Sequence, residues 1–230
     1  MRTNAKIYIA AVLCLGIGAL LASIAAEPRF ADPGRFIHCL VLAILASTFK
    51  IRLPRMQSSI SLNFVLFIIA IGALSLTETL VMAVVATIVQ SLWRPRTRPK
   101  TVQVLFNVAA LSISVFAAYT ATAQMRTGPA LVPGLILAGV VFFVVNTWLV
   151  SLVLSFLNGD SALEVWRRCH RWSFPYYVAG AVLAVIISAY AQVSGWSTAL
   201  AMLPGVYLLY SFYDTYVKNA DEGQGLTRVV

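Results

Sequence analysis

Apolar runs separated by short polar breaks fill the chain almost from end to end. Eight can be counted, at about 7–26, 36–49, 61–76, 79–93, 104–123, 131–157, 175–193 and 198–216. Runs of this kind predict helices set in a bilayer, since about 20 residues rising about 1.5 Å each match a hydrocarbon layer of roughly 30 Å. The second, third and fourth runs are shorter, and about 15 residues reach only about 22 Å. The 61–93 hairpin is therefore expected either to cross twice or to enter and leave on one side, giving eight or six crossings. The fold class this predicts is all-α, a polytopic transmembrane helical bundle over 1–217, with a polar tail at 218–230.

The polar positions add one more element. Between the sixth and seventh runs, Ser161 with Glu164 three residues on is a capping-box pattern. Ala162, Val165, Trp166, Cys169 and Trp172 then recur at helical spacing, with Glu164, Arg167, Arg168 and Arg171 on the other face. A short amphipathic helix over about 161–172 is predicted at the membrane interface, tryptophans toward the apolar layer and arginines toward headgroups. His170 beside it is expected as an interfacial polar residue. Trp93, Trp166, Trp172, Tyr176, Tyr177, Tyr213 and Tyr216 are expected to form an aromatic belt. Pro133-Gly134 and Pro204-Gly205 are expected to bend the sixth and eighth helices.

Charge then fixes an orientation. The 230 residues are 60% hydrophobic and only 11% charged, against about 25% charged in globular chains, so no soluble core accommodates them. A net charge of +9 in a soluble protein would suggest nucleic acid; here the basic residues punctuate apolar runs, and no nucleic-acid partner is expected. With the N-terminus inside, fourteen basic residues fall on the inner side and only Arg29, Arg35 and Arg126 on the outer. This follows the positive-inside bias and predicts a multi-pass inner-membrane protein, with the lipid bilayer as partner and both termini cytoplasmic. Cys14, Cys39 and Cys169 suggest neither a disulfide framework nor a metal site, and no cofactor is expected.

No nucleophile and base pair, paired carboxylates, HExxH or glycine-rich phosphate loop is present, so no enzyme is predicted. Asn63, Gln90 and Asn107 each lie in the inner third of their runs, and are expected at similar depth as a hydrogen-bonded cluster. Glu78 sits at the tip of the short hairpin. Two readings stay open for it: an outward pocket for a small cation or polar solute, with Tyr119, Asn146 or Trp196 in reach, or a cap made with Thr77 on the fourth helix. Asp214 is expected to pair with Lys218 four residues on.

Lys-Ile-Arg-Leu-Pro at 50–54, Ser-Ile-Ser-Leu-Asn-Phe at 59–64, the hairpin ending Gln90-Ser-Leu-Trp93, and Gln103-Val-Leu-Phe-Asn107 together form a pattern. This stretch resembles the MASE-type N-terminal membrane sensor module of bacterial signalling proteins with HD-GYP or GGDEF domains, and the likeness extends more loosely to about Val217. The resemblance implies a multi-helix sensor of a small ligand or of membrane state, signalling through its last helix. In such proteins a catalytic domain follows; here 219–230 is too short to fold, so no catalytic output is expected, whether the chain stands alone or was cut from a longer one. The short-hairpin layout is also similar to the substrate-binding subunits of energy-coupling-factor vitamin transporters. The leading expectation is a non-catalytic sensory or ligand-binding module; the alternative is the substrate-binding component of a small-solute uptake system. The uptake reading expects an energising partner subunit docked near Arg167–Trp172; a cytoplasmic signalling partner or a homo-oligomer is the other partner expected.

Overall fold

The computed structural model describes residues 3–27, 32–52, 59–95, 98–170 and 173–195, with five helical positions between 207 and 215. Eight α-helices follow in chain order: α1 (Thr3–Ala26), α2 (Pro33–Thr48), α3 (Asn63–Ala73), α4 (Leu76–Leu92), α5 (Thr101–Ala121), α6 (Leu131–Asn158), α7 (Ala162–His170) and α8 (Phe174–Ser194). Four of them, α1, α5, α8 and α6 with the short 3₁₀ turn before it, are long and apolar enough to cross a membrane. At 16, 11 and 17 residues, α2, α3 and α4 are shorter. The eighth apolar run, including Pro204-Gly205 and Asp214, lies mostly outside the described residues, so the count of eight runs is not matched by eight membrane helices here.

One element departs from the all-α expectation. Between α2 and α3 the chain forms a two-stranded antiparallel ribbon, β1 (Lys50–Arg52) with β2 (Ser59–Ser61), in the register Lys50 to Ser61 and Arg52 to Ser59. Basic residues in a short break gave no strand signal; the register sets position 51 opposite position 60, both isoleucine, a residue type enriched in strands.

The core is built around α3. Nine of its eleven residues, Asn63 to Ile71, are buried, and a helix apolar on all sides must be surrounded. It packs against α8, α6, α2, α4 and α5. Phe64 sets its ring against Tyr177 at 4.6 Å and Phe142 at 5.3 Å. The fit to α8 is close because a Cβ at Gly180 would lie 2.8 Å from the Phe64 ring. Tyr176 is fully buried and Tyr177 joins the same ring cluster, so these two belong to the core, not to an interfacial belt. Around this core, α5 bridges α1, α4 and α6. A Cβ at Gly16 would stand 2.7 Å from the Ala109 backbone, which is why α1 and α5 can touch.

Pro133 falls in the first turn of α6, where no intrahelical N–H is needed, and the helix runs unbroken to Asn158. Beyond Gly159, which takes the left-handed φ of 88° that ends α6, α7 folds back onto α6.

Candidate functional site

The α3–α4 turn gathers most of the polar chemistry at one end of the bundle. A helix leaves its last carbonyls and its first N–H groups without intrahelical partners, so a tight turn between two helices presents both kinds at once. Here carboxylates meet the N–H groups and arginines meet the carbonyls.

On the α4 side, Ser75 and Glu78 form a capping box. The Ser75 hydroxyl accepts from the Glu78 N–H at 3.2 Å, and Glu78 Oε2 accepts from the Ser75 N–H at 2.8 Å. Glu78 Oε1 faces the Asp32 N–H at 3.4 Å, next to the start of α2. Glu27, just past α1, accepts from the Leu76 N–H at 2.9 Å, while the Thr77 hydroxyl donates to the Ser23 and Glu27 carbonyls at 2.8 and 2.9 Å. Negative charge at a helix N-terminus is favourable, and this placement ties the tip to the ends of α1 and α2.

On the α3 side, Arg126 from the segment after α5 donates from Nε to the Ile71 carbonyl at 2.8 Å, from Nη2 to the Leu74 carbonyl and from Nη1 to the Tyr119 hydroxyl. Its guanidinium lies 4.0 Å from the centre of the Tyr119 ring. Arg35 of α2 donates to the Ala73 carbonyl at 3.3 Å and pairs with Asp32 at 3.3 Å. Beside this turn lies a pocket of about 500 Å³ lined by Arg35, Gln124, Arg126, Thr127 and Gln192 over Gly72–Ala73.

Glu78 is fully buried and its carboxylate serves as the cap, so it does not line that pocket. Tyr119 reaches the same turn. Asn146 does not: it donates to the Tyr177 hydroxyl at 3.2 Å, between α6 and α8. Trp196 lies outside the described residues. Two residues that the sequence reading missed, Arg35 and Arg126, hold the tip. Their signal was available, because the charge count with the N-terminus inside sets them among the three basic residues expected on the other side.

At the opposite end, Asn63 donates to the Ser47 hydroxyl at 2.8 Å and to the Gln90 Oε1 at 3.3 Å. Ser47 in turn donates to the Ala43 and Ala86 carbonyls, joining α2, α3 and α4. Asn107 is exposed and stays apart, because Phe106, Ala109 and Ala110 take the face of α5 that meets α1. Ser47, hidden among ordinary helix serines, is the member of this cluster that was not foreseen.

The amphipathic helix is present, with its apolar face turned onto protein. Val165 is buried; Trp166 donates to the Thr147 hydroxyl at 2.9 Å and stacks on Trp148 at 6.1 Å, both on α6. Arg167 is exposed, and Arg168 pairs with Asp160 at 2.9 Å. Arg171 and Trp172 lie outside the described residues, as do the side chains of Cys169 and His170. Among the described residues, no three His, Cys, Asp or Glu side chains gather as a metal ion would require.

Comparison with protein families gives the class of molecule that carries this site. The MASE9 family model matches residues 23–207, most of the chain, and the protein belongs to that family of membrane-associated sensor domains. Together with the apolar helices, this makes the chain a multi-pass membrane protein. Comparisons with curated proteins and with solved structures gave no match.

Proposed function

We propose that the chain is a non-catalytic inner-membrane sensor that reads a small ligand or the state of the outer leaflet at the α3–α4 tip. The signal then passes through that hairpin to the cytoplasmic face. The observation that carries this is the pocket beside the tip: Arg35 and Arg126, which line it, also hold the last carbonyls of α3. Whatever engages those guanidiniums acts on the most enclosed helix of the bundle. The other end of that hairpin joins the β-ribbon and the basic stretches at 50–55 and 94–100, which the positive-inside bias would put in the cytoplasm with both termini and α7.

Depth supports placing the tip at the outer surface; α3, at 11 residues, itself rises only about 17 Å. The 24 residues of α1 extend about 36 Å, more than the hydrocarbon layer, and Glu27 just beyond their far end bonds the first N–H of α4. A tip at that level stands at the outer surface, which puts the charged ring in contact with water.

The test joins a reporter output domain after Val217 and exposes spheroplasts to a fixed panel of anions, cations, sugars and osmolytes. A sensor changes the output without accumulating solute. Accumulation of one solute, dependent on a partner subunit and with no change in output, would favour uptake and overturn this reading.

A further inference from the structure

The charges around the hairpin tip are sorted by sign, and only one sign faces the pocket. Glu27 and Glu78 are turned to the N–H groups at the start of α4, and Asp32 is paired with Arg35. Among the described residues no carboxylate lines the cavity, whereas two guanidiniums and the neutral side chains Gln124, Thr127 and Gln192 do. The arginines bond the Ala73 and Leu74 carbonyls, neighbours in sequence, so two cations converge on one rim.

The Arg126 geometry also points to an oxyanion. A guanidinium carries five N–H donors in a planar fork. Nε, Nη1 and Nη2 each make one bond, to Ile71, Tyr119 and Leu74, which leaves the second hydrogens of the two Nη atoms. One face of the group is held over the Tyr119 ring, so the fork keeps a fixed plane. Fixed, planar, paired donors match carboxylate and phosphate oxygens. A volume of about 500 Å³ fits a small solute or one headgroup, within the usual 300–1,000 Å³ range for small-molecule sites (roughly).

We propose that this pocket binds a carboxylate or phosphate group between Arg35 and Arg126, carried either by a free solute or by an anionic lipid headgroup. The assignment deepens the sensor reading and rests on it for what binding achieves: an anion shared by the two arginines links α2 to the segment after α5 across the hairpin tip.

Gln192 of α8 is an exposed pocket residue for which no hydrogen bond holds the fold, so its charge can be changed without uncapping α3. The full chain in neutral detergent is titrated with inorganic phosphate by calorimetry. It is also reconstituted in nanodiscs of phosphatidylcholine with or without phosphatidylglycerol, where a headgroup in the site is read by native mass spectrometry. Gln192→Glu should weaken binding roughly three- to tenfold and Gln192→Arg strengthen it by a similar factor, from Coulomb interaction near a surface. Phosphate binding in detergent identifies a free solute; charge-dependent retention of phosphatidylglycerol alone identifies a headgroup. Neither, or affinities that ignore both substitutions, overturns the site. Binding with no reporter output would leave the site standing and defeat the sensor reading; an output that responds while no anion binds would do the reverse.

Discussion

Arg126 is the residue whose loss should be felt most locally. Its fork satisfies the Ile71 and Leu74 carbonyls at the end of α3 and lies over Tyr119. Because Arg126 is only half-buried, water can replace part of each bond, so each of the two carbonyl bonds is worth about 1 kcal/mol net. The ring contact adds about 0.5–1 kcal/mol, and a cation at a helix C-terminus adds a few tenths more. Arg126→Gln should therefore lower the free energy of opening the tip by about 3 kcal/mol, which is about a hundredfold in the opening equilibrium. Arg126→Lys keeps the charge without the fork, loses about 2 kcal/mol, and should open about thirtyfold more often. The assay is hydrogen exchange on peptides covering 70–80, where the Leu74 and Thr79 N–H groups bond Ala70 and Ser75. Acceleration there in the order Gln over Lys over wild type, with α5 and α8 unchanged, is the expected pattern. Exchange within a factor of two of wild type, or acceleration spread evenly over the bundle, would refute the claim that this arginine holds the tip.

Four further substitutions, one of them a control, probe the packing on which the site stands. Gly16→Val places a side chain against the Ala109 backbone and should cost about 1–3 kcal/mol, lowering the thermal midpoint in detergent, whereas Gly18→Val, with nothing within 4 Å, should leave it unchanged. Asn63→Ala strips Ser47 and Gln90 of a shared donor and should cost about 1 kcal/mol in the same scan, near the average for membrane hydrogen bonds. Trp166→Phe removes the bond to Thr147 and much of the stack on Trp148; α7 should then detach, read as faster proteolysis at 159–170 with the bundle intact.

The helices were legible because hydrophobicity alone marks where a chain can enter a bilayer, and seven of the apolar runs correspond to α1–α6 and α8. Their ends were less so. The hairpin turn sits at Leu74–Ser75, ahead of the Thr77–Thr79 break that the polar residues suggested. Ser75 with Glu78 was a capping box in plain view, the same signature that marked Ser161 and Glu164. Asn63 and Gln90 met as their depth implied, but depth says nothing about which way a residue faces, and Asn107 turned outward. The contacts of Arg126 reach back 52 and 55 residues to Leu74 and Ile71, a distance at which pattern carries no information about pairing. What sequence did offer was the anomaly of arginines on the side expected to be outer, where nothing in membrane insertion favours them.

The central claim is that occupancy at the outer ring reaches the inner face through movement of the α3–α4 hairpin. The most direct test fastens the hairpin in place. A Cβ at Gly72 would lie 3.4 Å from a terminal methyl of Leu131, so Gly72→Cys with Leu131→Cys, in a chain whose own cysteines are replaced by serine, sets two neighbouring thiols to be oxidised into a bond between the tip and α6. Output from the reporter joined after Val217 is then measured with the pair oxidised and reduced, with bond formation followed by mass. The account predicts that oxidation abolishes the response to the outer stimulus and that reduction restores it. A full response from the completely oxidised protein would contradict it.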